Sequence, residues 1–119
     1  MDPNDAPDPE PDGDPTDRAA RTAVAADVLL LARRATDDPD PRVRAVAIAS
    51  LVRIAPRRTS APVWRRVVAD LDPRVRRRAA EVAPRLGRAA ASTVLVDLLH
   101  DADAWVAEAA AYAIGEHPA

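Results

Sequence analysis

The sequence predicts an all-α fold: an α–α superhelix, a short solenoid of about three helix hairpins. Three observations predict it. Of 119 residues 28 are Ala, Phe is absent, and Trp and Tyr together number three. Ala is the best helix former and is depleted from strands, so a β-sandwich or barrel is excluded. A five-residue phrase also recurs. Asp40-Pro41-Arg42-Val43-Arg44 matches Asp72-Pro73-Arg74-Val75-Arg76 at an offset of 32, and a weaker copy, Asp103-Ala104-Trp105-Val106-Ala107, follows 31 residues later. An internal period of this length is the signature of stacked repeats. Finally, the apolar residues after each copy keep helical spacing.

Residues 1–17 hold five Pro and seven acids, and Ala6 is their only apolar side chain apart from Met1. Such a segment buries too little surface to offset ordering entropy, so an acidic disordered tail is expected. A helix is expected from about Arg18 to Ala35, capped by Thr16 or Asp17, with Val24, Val28 and Leu31 on one face. The loop Thr36 to Pro39 leads into the first motif helix. Each motif Asp is a favoured N-cap, and Pro in the first turn loses no hydrogen bond.

Four, seven and eight residues after each motif Val lie Ala47, Ser50 and Leu51; Ala79, Val82 and Ala83; and Ala110, Ala113 and Ile114. This is a narrow stripe of mostly small residues. Another short helix precedes each later motif. Ser60 caps the one carrying Val63, Val67, Val68 and Leu71, and the next carries Val94, Leu98 and Leu99. Pro84 ends or kinks the second motif helix. The expected organisation is a tail over 1–17 and a repeat domain over 18–119, with hairpins at about 18–56, 60–87 and 88–117.

A hairpin of about 31 residues whose second helix opens D-x-x-V-R-x-x-A-A resembles a HEAT repeat, and more closely the HEAT-like repeats also found in phycobilin lyases. The matching residues are Asp40, Val43, Arg44 and Ala47; Asp72, Val75, Arg76, Ala79 and Ala80; and Asp103, Val106, Ala110 and Ala111, followed by Ala113-Ile114-Gly115. The resemblance implies a ladder between stacked repeats formed by Asp40, Arg44, Asp72 and Arg76. Asp103 belongs to the third copy, where Ala107 replaces the Arg and the ladder is expected to stop. It also implies a concave face lined by the second helices, and a protein-interaction scaffold without catalysis.

Charge locates a candidate binding face. Residues 18–88 carry 17 Arg and seven acids, a net +10, whereas residues 89–119 carry five acids and no Arg. On a helical wheel Arg42, Arg53, Arg74, Arg78 and Arg85 share one flank. In the third repeat Trp105, Ala109, Tyr112 and Glu116 follow on the same side. The flank is either a solvated face or a binding surface running from basic to aromatic and acidic. The expected partner is another protein, with acidic segments on the Arg face. The alternative is phosphate or nucleic acid, since Arg makes bidentate phosphate contacts and HEAT-like DNA glycosylases bind DNA on a basic concave surface. A second alternative is an accessory lyase-like role. The acidic tail, tethered to a basic body, is itself a candidate occupant. Trp105 and Tyr112 either anchor a partner or close the end of the array. The Ala-rich third hairpin predicts self-association or docking through that end.

Catalytic chemistry finds little support. No Cys is present, the Ser residues lack a matching His and Asp pattern, and the Gly residues at 13, 87 and 115 form no phosphate loop. His100, Asp101 and Asp103 cluster but fall short of a metal ligand set. No cofactor, metal or enzymatic activity is expected. Without a long apolar run or a basic-then-apolar start, a cytoplasmic protein without a membrane span is expected.

Overall fold

The computed structural model describes residues 14–116. They form six α-helices: α1 (Pro15–Asp37), α2 (Pro41–Ile54), α3 (Ala61–Val68), α4 (Pro73–Val82), α5 (Arg88–Leu99) and α6 (Ala104–Glu116). Short 3-10 turns span Pro56–Arg58 and Ala83–Arg85, and no strand occurs among the described residues. The helices pair as α1/α2, α3/α4 and α5/α6. One layer stacks α2, α4 and α6, and the other stacks α1, α3 and α5. This is the all-α solenoid that the repeat register predicts.

Local chemistry starts each helix where the chain requires it. Asp40 and Asp72 accept the N–H groups of Arg42 and Arg74 at 2.9 and 2.8 Å, and Pro follows each cap. Asp103 accepts the Trp105 N–H at 2.9 Å. The first helix departs from expectation. It begins at Pro15, three residues before Arg18, because Asp14 accepts the Thr16 N–H at 2.9 Å and Pro15 occupies the first turn. Residues 14–17 therefore belong to the cap and first turn of α1 rather than to a tail. Residues 1–13 of the expected tail, together with residues 117–119, lie outside the described residues.

Two other expectations are corrected. Ser60 stands at the N-cap of α3 but makes no side-chain cap hydrogen bond. Leu71 leaves the stripe assigned to it, because α3 ends at Val68 and Leu71 projects from the following turn into solvent. Pro84 does mark the end of α4, within the 3-10 turn at Ala83–Arg85.

The core runs between the two layers and is thin. It combines Ile48, Leu51, Val52, Trp64, Val67, Val75, Leu95, Leu98 and Val106 with Ala35, Ala47, Ala79, Ala80, Ala83 and Ala110. Each large apolar side chain contributes about 1.5–3 kcal/mol on burial. The buried Ala side chains let successive second helices approach closely, and a larger residue there would overpack the contact. In α1, burial begins only at Val28, with Leu31, Ala32 and Ala35 following, and residues 14–27 are exposed. The first half of this helix therefore overhangs the rest of the chain.

Candidate interaction face

The turns before the second helices are built by D-x-D sequences: Asp38-Pro39-Asp40, Asp70-Leu71-Asp72 and Asp101-Ala102-Asp103. In each, the first carboxylate accepts the N–H of the second Asp at 2.9 Å. The second Asp caps the helix, and the first meets the neighbouring repeat. Arg44 donates from Nε and Nη2 to Asp70 at 2.8 and 3.0 Å, and from Nη1 to the Asp38 carbonyl at 2.8 Å. Arg76 repeats this with Asp101 at 2.8 and 3.3 Å and with the Asp70 carbonyl at 2.5 Å.

A ladder of guanidinium groups thus joins the three turns, but its acids are Asp70 and Asp101. Asp40, Asp72 and Asp103 cap their own helices and reach no neighbouring repeat, which corrects the ladder role expected of them. The Arg44 fork on Asp70 raises the Arg44 pKa. Burial pushes the Asp101 carboxyl up, but the Arg76 fork and the Asp103 N–H outweigh it and leave the group below the ordinary value. No repeat precedes that of Asp38 among the described residues, and Arg34 of the adjoining helix supplies the cation at 3.0 Å. Ala107 ends the ladder at the other side.

The five flank arginines divide into two sets. Arg42 lies across Asp40 at 3.3 and 3.1 Å, and Arg74 across Asp72 at 3.1 and 2.7 Å. Those side-chain hydrogen bonds, with the Arg74 N–H, hold the Asp72 carboxyl down from 3.8 to about 2. Asp40 is lowered for the same reason. These two arginines are committed to their own caps.

The other three line grooves between successive second helices. Val46, Ala49, Arg53, Arg78 and Arg85 surround a cavity of about 430 Å³ between α2 and α4. Arg77, Glu81, Arg85, Glu108, Tyr112 and Glu116 surround one of about 640 Å³ between α4 and α6. Glu81 and Arg85 border both, so the grooves form one continuous surface. Arg78 pairs with Glu81 at 3.5 Å. Among the described residues, Arg53 and Arg85 take part in no ion pair.

Trp105 and Tyr112 occupy different surroundings. Tyr112 lies exposed along the α4–α6 groove. Trp105 is half exposed beneath Arg77, whose guanidinium sits 4.4 Å from its ring centroid and donates to the Trp105 carbonyl at 2.7 Å. Arg77, Glu81 and Glu108 were not among the residues predicted for this face. Their signal was available in the repeat register, where Arg77 and Glu108 share the position of Ala45, and Glu81 shares that of Ala49 and Tyr112. Trp64 is buried in the core, and its indole Nε1 has no hydrogen-bond partner.

Asp101 is held by Arg76, Asp103 by the α6 backbone, and His100 Nδ1 lies 2.9 Å from the Val96 carbonyl. No group of three His, Cys, Asp or Glu suited to a metal occurs among the described residues. None of the described helices is long and apolar enough to cross a membrane.

No curated protein and no solved structure matches the chain. The profile of HEAT repeats matches residues 27–115, 89 of the 119 residues. That span runs from the packed half of α1 into the last turn of α6 and includes both rungs of the Arg–Asp ladder, and the chain belongs to the HEAT-repeat family.

Proposed function

We propose that the chain is a non-catalytic protein-interaction scaffold whose binding surface is the continuous groove along α2, α4 and α6. HEAT repeats commonly mediate protein–protein interaction and are in general non-enzymatic scaffolds. The observation that carries the finer reading is the distribution of charge along the groove. Arg53 and Arg85 offer guanidinium groups that form no ion pair among the described residues at one side, and Glu108 and Glu116 line the other beside the exposed Tyr112. An extended segment of a partner protein fits this pattern if acidic residues lie over Arg53 and Arg85 and an apolar residue packs on Tyr112. Arg forks carboxylates bidentately, and Tyr is a frequent interface anchor.

Fluorescence anisotropy with a labelled acidic peptide ending in an aromatic residue tests this. Replacing Arg53 and Arg85 by Ala is expected to weaken binding at least about tenfold, roughly 1.4 kcal/mol. Replacing Arg42 by Ala leaves it unchanged, because that side chain is held by Asp40. Equal losses at Arg42, Arg53, Arg74 and Arg85, with a steep salt dependence on duplex DNA, would instead establish phosphate binding and overturn the proposal.

A further inference from the structure

The three repeats are equivalent in register, so differences in burial between them isolate what each repeat lacks. Ile48 and Leu51 of α2 correspond to Ala80 and Ala83 of α4, and all four are buried to within 1%. Their counterparts in α6 are Ala111, which is exposed, and Ile114, which is 40% exposed. Among the described residues, no repeat stacks on α6 to cover them. The opposite end shows the converse. Val75 is 0% and Leu86 6% exposed, whereas their counterparts Val43 and Ile54 are 37% and 52% exposed. Among the described residues, no repeat stacks on the α1/α2 hairpin from that side to cover them. Each end of the array therefore presents the half-interface that the other end is shaped to bury.

Charge fits the same pairing. Residues 18–58 carry nine Arg and four acids, a net +5, and residues 89–116 carry five acids and no Arg. We propose that a second copy of this chain docks head to tail, its α1/α2 end covering Ala111 and Ile114 as α4 covers Ile48 and Leu51. An end-to-end contact between two α5/α6 hairpins would oppose two blocks of −5. The ladder does not continue across the junction. Ala107 stands where its Arg would be, and Asp38 of the incoming copy is already paired with Arg34 at 3.0 Å. Association is accordingly weaker than stacking within the chain, reversible, and non-closing.

Sedimentation velocity on the full chain from about 10 μM to about 1 mM tests this. The average mass is expected to rise through dimer without a plateau, and to fall at high salt as the opposed blocks are screened. Val43→Asp and Ile114→Asp each remove one end and are expected to be monomeric alone. Mixed in equal amounts, they form a dimer that grows no further, because one intact end survives on each. Both positions are partly exposed, so the fold persists, which circular dichroism checks; Ile54→Asp replaces Val43→Asp if that variant unfolds. Installing the missing guanidinium with Ala107→Arg, in an Arg34→Ala background that frees Asp38, tightens association about tenfold or more. A monomer at every concentration overturns the proposal. So does a dimer that survives Val43→Asp, or a mixture of the two variants that stays monomeric.

Discussion

Arg44 grips Asp70 of the next repeat with two hydrogen bonds, at 2.8 and 3.0 Å, while holding the Asp38 carbonyl of its own turn at 2.8 Å. One side chain therefore fixes two turns at once, and both partners of the pair are largely shielded. Arg44→Ala leaves the Asp70 carboxylate shielded without its cation. The expected cost is about 2–3 kcal/mol of unfolding free energy, read as a lower urea midpoint. Arg44→Lys recovers less than half of the loss, because an ammonium cannot fork a carboxylate and reach a carbonyl together.

The depressed carboxyl groups set the acid side of stability. Asp72 is held down to about 2, and Asp38, Asp40 and Asp101 are also lowered. In the unfolded chain these groups return to the ordinary value of 3.8. A group lowered by folding contributes stability above its unfolded pKa and loses it as pH falls through the folded value. The urea midpoint is therefore expected to be flat with respect to these groups from neutral pH to about 5, then to drop steadily between about 4 and 2. Asp72→Asn, which cannot ionise, shows a shallower drop.

Arg77 bridges α4 and α6 through the Trp105 ring and carbonyl. Arg77→Ala is expected to cost about 1 kcal/mol, since the site is partly exposed and the cation–π contact is only partly desolvated. The same change increases acrylamide quenching of Trp105 fluorescence. In a double-mutant cycle with Trp105→Ala, the coupling between the two positions accounts for the ring contact and leaves the backbone hydrogen bond aside.

Trp64 offers a contrast within the core. Trp64→Ala opens a cavity between α3 and α5 and is expected to cost about 3–5 kcal/mol. Trp64→Phe loses volume but also deletes a buried N–H that has no partner, a group whose burial costs about 1–3 kcal/mol. The two effects nearly cancel, and a change in urea midpoint below about 1 kcal/mol is expected. A loss as large as that of the Ala variant would show that the indole N–H finds a partner in solution.

The fold was legible because each level of the sequence repeats the same message. The motif Asp residues announce helix starts, the Val and Ala that follow set the buried face, and the 32- and 31-residue offsets stack the hairpins. The ladder was only half legible. Arg44 and Arg76 stand out by their shared place in the motif, but their acids precede it. Asp38, Asp70 and Asp101 look like ordinary turn residues until the D-x-D spacing is aligned across all three copies. The start of α1 was hidden because a Pro- and Asp-rich run reads as unstructured, although Asp14-Pro15 is also a helix start. The division of the flank arginines was hidden as well. A helical wheel gives direction around the axis but not height along it. Arg42 and Arg74 lie at the capped ends, where their own Asp residues capture them, and Arg53 and Arg85 lie at the open ends.

The overhang of α1 has a kinetic consequence. Residues 15–27 make a continuous helix with the packed half, yet no tertiary burial supports them. An isolated helix of that length is marginal in water, even when rich in Ala. The helix is thus one structural element with two lifetimes. Amide protons from about Arg18 to Ala26 exchange through local fraying, while those near Leu31 to Ala35 await opening of the core. Trypsin, which cuts beside Arg18 and Arg21, would read the same gradient as a ragged front edge on an otherwise resistant body.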